Sequence, residues 1–451
     1  MSRHPLVTHR NPADIVAYRG GAPITVGRFL ADVERIASEF PPPRHLLNAC
    51  GDRYRFAVGL AAALVAGKVS LLPADLAPAT VRRLMEGHPD LFCLTDSDNA
   101  PPSLPRLRYR DAVASAAAVP ELPVPEIDDD RPVAWLFTSG STGEPVSHLR
   151  TWGALVRSVR IEADRLRLNV GEPGVIVATV PPQHSYGLES SVLVAWQGGA
   201  AFSAARPFYP SDICRALSAV PRPRVLVSTP FHLRLLLDSG AALPEVDLVV
   251  SATAPLPMAL TKEAETRFNA PLLEIFGSTD TGQIASRRPS VSAEWLLFDG
   301  VQLAAEADRT WVRGGHVGAP VVLNDVVELA GAGRFRLLGR SSDLVNVAGK
   351  RSSLAFLTHQ LTTIPGVDDG AYYMPDEESP NGVTRLAAVV VAPKLTAEEL
   401  TRALRARVEP AFLPRPLVFV DALPRNPTGK MPREALRQLI ASRSNARADQ
   451  R

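Results

Sequence analysis

Cysteine is scarce, with three in 451 residues. Cys50, Cys93 and Cys214 are too few for a disulfide framework and too scattered for a zinc site. They read as small apolar side chains in a reducing cytosol. Long hydrophobic runs are lacking too. The longest, residues 56–67, falls well short of the ~20 residues of a membrane helix and reads as a core helix packing small Ala and Gly faces. Met1 to Arg10 holds no apolar stretch, which argues against a secretory leader. Charge of one sign is also lacking. Lys and Arg number 49 against 47 Asp and Glu, a net of +2, so the balance calls for no nucleic acid and no acidic membrane surface. No internal repeat is visible. The first glycine-rich loop lacks the Gly-Lys-Ser/Thr ending of a P-loop, which argues against a P-loop kinase, and no Gly-x-Ser-x-Gly hydrolase elbow occurs.

What is present suits a cytoplasmic globular chain of two or three domains. Apolar residues make up 46%, enough for a substantial core. Val133 to Phe137 reads as a buried strand leading into a loop. Trp152 to Leu166 reads as a helix with Thr151 at its N-cap and Leu155, Val159, Ala163 and Leu166 on one face. Strands are expected at Val175 to Val180, Val225 to Ser228, Leu248 to Ser251 and Leu272 to Phe276, with a helix over Met258 to Phe268. This is an α/β pattern of strand, loop and helix, and ligands in such sheets gather at the carboxyl ends of strands. Residues 120–131, rich in Pro and Asp, read as a surface connection. Past Gly339-Arg340 the pattern changes to a small α+β unit: a β-run at Leu386 to Val391, a helix opening with Thr396-Ala397-Glu398-Glu399, and a strand at Leu417 to Val420.

Two loops and a lysine carry the chemistry. Thr138-Ser139-Gly140-Ser141-Thr142-Gly143 and Phe276-Gly277-Ser278-Thr279-Asp280-Thr281-Gly282 combine glycines, which let backbone approach closely, with hydroxyl donors. Many donors and little bulk suit a triphosphate. Lys430 closes Pro424-Arg425-Asn426-Pro427-Thr428-Gly429-Lys430 and adds a positive charge near the chain end. Taken singly, each serves equally well as a polar turn.

Taken in this order, with Val180-Pro181-Pro182-Gln183-His184-Ser185-Tyr186-Gly187, Ser251-Ala252-Thr253-Ala254-Pro255 and Asp325 ahead of Gly339-Arg340, the chain resembles the adenylate-forming superfamily. That group comprises acyl-CoA synthetases, peptide-synthetase adenylation domains and luciferases. The resemblance spans about Leu71 to Lys430. It implies a large multi-sheet N-terminal domain over 1–339, a small mobile C-terminal domain over 340–451, and a hinge near 340–343. It further implies that ATP and Mg²⁺ bind along the two loops. Phe276 would stack on adenine over Ala252 and Gly277, Thr279 would contact the α-phosphate, and Asp280 would hold the metal. Asp325 and Arg340 would hold ribose and phosphate, His184 would border the acyl pocket, and Lys430 would stabilise charge at the reacting centre. The Gly349 segment would line the thiol entry after the small domain swings.

Three departures stand out. Val146 occupies the position of the family's loop lysine, leaving Arg150 or His148 to substitute. Asp280 replaces the commoner glutamate. Leu323-Asn324 replaces a Thr-Gly pair. The implied activity is an ATP-dependent carboxylic acid–thiol ligase that passes an acyl-AMP to the pantetheine thiol of an acyl carrier protein or of coenzyme A. Only 21 residues follow Lys430, which argues against a fused carrier domain. A narrower resemblance is to stand-alone ligases that load small aryl or acyl acids onto carrier proteins in polyene-pigment or polyketide-like pathways. A general aryl- or acyl-CoA ligase and a non-catalytic nucleotide- or acyl-binding descendant are the alternatives.

Overall fold

A computed structural model describes residues 2–73, 75–98, 101, 103–112, 122–139, 145–168, 170–306, 309–340, 344–347, 350–374, 386–424 and 435–440. Two large sheets organise residues up to 340. In the first, six strands run Pro145–Thr151, Pro132–Ser139, Val69–Leu72, His45–Asn48, Leu91–Thr95 and Arg106–Arg108, all parallel except Pro145–Thr151. The second has eleven strands. Its middle is a parallel run of six: Ile15–Arg19, Ala201–Ser203, Val175–Ala178, Arg224–Ser228, Leu248–Ser251 and Leu272–Ser278. Strands such as VIVA and LVVS are buried throughout, as expected for a parallel sheet covered on both faces.

The expected helices form where periodicity placed them. Arg53–Val65 is almost wholly buried, and Trp152–Arg165 buries Leu155, Val159 and Ala163. Met258–Phe268 has the bounds read from the sequence. Thr151 has the extended backbone of an N-cap, but its side chain makes no capping bond. The capping box at Thr396 and Glu399 is complete on both sides. Cys50 and Cys93 are fully buried, and burial pushes the Cys93 thiol up to about 12, so it stays protonated and inert. No helix among the described residues is long and apolar enough to cross a membrane.

Two corrections concern connections. Neither glycine-rich loop leads straight into a helix. The first joins Pro132–Ser139 to the antiparallel strand Pro145–Thr151, and the second joins Leu272–Ser278 to the antiparallel strand Gly282–Arg287. Each loop is therefore a hairpin connection at the carboxyl end of a buried strand. The stretch 120–131 is more than a connection: Glu126–Asp128 pairs with Arg3–Pro5 and buries Ile127.

Beyond Leu344 the described residues form separate small sheets. Leu344–Val347 pairs with Lys350–Ser353, and Asp369–Tyr373, Ala387–Val391 and Leu417–Phe419 make a three-stranded sheet. These residues bury apolar clusters of their own around Leu357, Leu361, Leu400 and Val389.

Candidate active site

The site is built where the two hairpins meet. Alternation along Pro145–Thr151 sends Val146, His148 and Arg150 to one face. His148 Nε2 reaches Asp280 Oδ1 at 2.9 Å. Arg150 is 7% exposed, and its Nε and Nη2 have no hydrogen-bond partner. Both are strong donors, and leaving them buried and unused is costly unless a ligand takes them. Gly282 explains how the guanidinium fits: its φ is +69°, and a Cβ there would lie 2.6 Å from Arg150 Nη2.

Hydroxyls fix the second turn. Ser278 and Thr281 exchange backbone and side-chain hydrogen bonds at 3.1–3.2 Å, and Thr281 also donates to the Gly282 carbonyl at 2.8 Å. These two residues close the turn, which leaves Thr279 and Asp280 at its tip. Gly277 permits the crossing, since a Cβ there would lie 2.2 Å from the Gly282 carbonyl oxygen. Phe276 rests against Trp295 and Phe335 at ring separations of 5.3 and 5.6 Å, so its orientation is set by packing. Near it, Ala252 is buried, and Thr253 adopts φ +81° with its hydroxyl oxygen buried and unpartnered. A β-branched residue in that region is strained, and such strain concentrates at functional sites.

His184 caps a short turn, Ser185–Gly187, that continues into a π-helical turn, Leu188–Leu193. Gly187 is required there, because a Cβ would lie 2.0 Å from the Pro181 carbonyl oxygen. Tyr186 donates its hydroxyl to the carbonyls of Ser228 or Val250 at 3.2 Å, anchoring the turn to two strand ends. Ser190 accepts a 2.8 Å bond from Gln283, which ties this turn to the second hairpin. Arg53, fully buried, donates to the carbonyls of Ala178 and Val180 at 2.8 and 2.9 Å and to Ser191 at 2.7 Å, clamping the strand that leads into Pro181. Asp325 and Arg340 stand opposite one another in the hairpin of Asp325–Gly331 and Arg334–Arg340.

The structure thus brings together His148, Arg150, Asp280 and Gly282, and separately Asp325 with the Arg340 backbone. Thr138 and Ser139 end their strand, with side chains outside the described set; Gly140, Ser141, Thr142, Gly143 and Lys430 also lie outside the described residues. Sequence reasoning missed His316. It is 1% exposed and lies beside Gly282, with Arg150 and the Thr281 and Gln283 backbone around its ring. Burial and the neighbouring Arg150 hold its pKa down to about 4, so it is neutral. Its place in Gly314-Gly315-His316 was the only local signal. Among the described residues no cluster of three His, Cys, Asp or Glu makes a self-sufficient metal cage. A single half-exposed carboxylate suits a Mg²⁺ carried in on phosphate oxygens.

Comparison with known proteins agrees. The AMP-binding enzyme family matches residues 44–333, and the AMP-binding enzyme C-terminal domain matches 359–430. A 4-coumarate–CoA ligase of Rhodobacter capsulatus is 30% identical over 65% of this chain and 73% of its own length. A 3-hydroxybenzoate–CoA/4-hydroxybenzoate–CoA ligase of Thauera aromatica is 23% identical over 70% and 68%. ATP-bound MatB of Rhodopseudomonas palustris superposes with a TM-score of 0.80 at 19% identity, covering 95% of this chain and 96% of that one. The o-succinylbenzoate CoA synthetase of Bacillus subtilis with its acyl-adenylate also scores 0.80 at 19% identity, covering 97% and 98%.

Proposed function

The chain belongs to the AMP-binding enzyme family, and we infer that it is an ATP-dependent carboxylic acid–thiol ligase. A carboxylate oxygen of the acid attacks the α-phosphorus of ATP, the bond to the β-phosphate oxygen breaks, and pyrophosphate leaves. The thiol then loses its proton and attacks the acyl carbonyl, and AMP departs. Bound Mg²⁺ would neutralise phosphate charge, with Asp280 as its protein ligand. The single observation behind the phosphate assignment is Arg150: a buried guanidinium with two unused donors, beside the hairpin that carries Thr279. It stands in for the lysine that Val146 replaces. Phe276 and Ala252 hold adenine, and Asp325 with Arg340 holds ribose.

Residues 340–451 act as the small domain that delivers Lys430 for adenylation and then swings to present the Gly349 segment to a pantetheine thiol. The thiol belongs to coenzyme A or to an acyl carrier protein. Pyrophosphate release from Mg·ATP across aryl, short-chain and long-chain acids tests the reading, with wild type compared against Lys430→Ala. Acid-dependent release that the variant abolishes is expected. Intact nucleotide binding without release for any acid would favour a non-catalytic descendant. Offering coenzyme A and purified carrier protein in parallel identifies the acceptor.

A further inference from the structure

The strand that carries Phe276 also carries one half of a charge pair. Glu274 and Arg287 stand directly opposite one another in the antiparallel ladder of Leu272–Ser278 and Gly282–Arg287. Glu274 is 4% exposed. Its Oε2 accepts both Nε and Nη2 of Arg287 at 2.7 Å. Nη1 of Arg287 donates to the Ala293 carbonyl at 3.0 Å, and the guanidinium lies 4.3 Å from the centre of the Trp295 ring. Every nitrogen of Arg287 is thus placed. Burial pushes the Glu274 carboxyl up, and the Arg287 guanidinium opposes the rise.

The pair touches two elements at once. Glu274 and Phe276 are two positions apart on one strand, so their side chains share a face. Trp295, against the guanidinium, packs on Phe276 at 5.3 Å and on Phe335 at 6.3 Å, the latter ring 13° from parallel. On the other side Glu274 stands level with Ser251 in the parallel ladder, and the backbone N–H of Leu256 is bonded to its carboxylate. Ser251 and Leu256 flank the small-residue loop that contains Ala252 and the strained Thr253. Stability alone does not call for such a pair. Desolvating two charges costs about what their attraction returns, and apolar replacements of similar volume are often neutral or stabilising. A guanidinium held at two nitrogens supplies a fixed geometry, which an apolar contact does not.

We propose that Glu274 and Arg287 are positioning residues for the nucleotide: they fix the spacing between Phe276 and the loop of residues 252–256 before ATP arrives, so that the base enters a preformed slot. The proposal rests on the ligase reading, which puts adenine against these two elements, and adds the pair that holds them. A protein that is binding-competent only part of the time loses affinity in proportion to that fraction, and a braced slot avoids the loss.

The test measures Mg·ATP affinity by calorimetry without acid, so that no turnover is needed, for wild type, the double variant Glu274→Leu/Arg287→Met, Glu274→Gln and Arg287→Lys. The double variant removes both charges together. It is expected to keep its urea midpoint while the Kd for ATP rises about tenfold. In pyrophosphate release its KM for ATP rises by the same factor, and the KM for the acid and kcat at saturating ATP hold. Glu274→Gln keeps the volume and an acceptor for the Leu256 N–H, and recovers most of the affinity. Arg287→Lys keeps the charge but loses the second nitrogen and the stack on Trp295, and falls between. An unchanged Kd in the folded double variant overturns the proposal. So does a rise matched by an equal rise in the KM for the acid and a lower urea midpoint, the mark of general loosening. If the double variant does not fold, Arg287→Lys decides: a rise of about threefold is expected, and wild-type affinity overturns the proposal. A wild type that binds no ATP would instead fault the ligase reading.

Discussion

His148 and Asp280 stand 2.9 Å apart, nitrogen to carboxylate oxygen, and join the strand leaving one glycine-rich loop to the tip of the other. The carboxylate proposed as the metal ligand is therefore already engaged by an imidazole. Under the proposed assignment, a Mg²⁺ taken at Asp280 would either share that carboxylate with His148 or displace its imidazole.

Asp280→Asn keeps the shape of the tip and removes its charge. The Mg²⁺ concentration for half-maximal activity should rise, and kcat/KM for ATP should fall by roughly a hundredfold, as for loss of one charge-stabilising group. Titrating Mg²⁺ at fixed ATP checks this; an unchanged requirement would remove Asp280 from the metal site.

Arg150 sets stability against activity. Two nitrogens of its buried guanidinium lack partners, so Arg150→Met should remove a poorly compensated charge and raise Tm by about 2 °C. The same change should lower ATP turnover by one to two orders of magnitude, on the order of what a phosphate-contacting cation supplies. Calorimetry and pyrophosphate release on one preparation give both numbers. Full turnover in the variant would sink the assignment.

Thr253 holds its strained φ of +81° beside the predicted adenine floor. Thr253→Gly should relieve about 1 kcal/mol of strain, seen as a higher urea midpoint. If the strain positions the nucleotide, the KM for ATP rises at the same time. A variant that is no more stable would mean the backbone there relaxes when isolated from its side chain.

His232 and His316 set the acid limit. Both are 1% exposed, and burial lowers each from 6.5 to about 4. As pH falls, the unfolded chain takes up these protons before the folded one. The stability they allow is whole above pH 6.5 and drains away between 6.5 and 4, by roughly 3 kcal/mol per ring at the low end. Urea unfolding at pH 7, 5.5 and 4.5 should show the decline, and His316→Gln should make it shallower. A flat profile over that window would contradict the burial of both rings.

Much of this was legible in the chain. Leu155, Val159, Ala163 and Leu166 spell one helical face, and all four are buried. Thr396 and Glu399 spell a capping box, and it forms. The strand Pro145–Thr151 was not legible. It leaves Val146 and Leu149 exposed and carries His and Arg, so it shows no clean alternation, and its identity depends on pairing with Pro132–Ser139. Asp325 and Arg340 were singled out by spacing, but only the intervening hairpin makes them opposite neighbours. Arg53 was invisible as part of the site, because its partners lie more than a hundred positions away.

Because both glycine-rich loops are hairpin connections, neither presents the positive end of a helix to the phosphates. A helix start lends about half an elementary charge through its macrodipole, whereas paired antiparallel strands largely cancel theirs. Under the proposed function the attraction for a triphosphate would fall to individual side chains, Arg150 and His148 on one strand and Lys430 on the small domain. An attraction assembled that way is removable in parts. Withdrawing Lys430 with the domain would lower the local potential in one movement and loosen the departing pyrophosphate, which a fixed dipole would continue to hold.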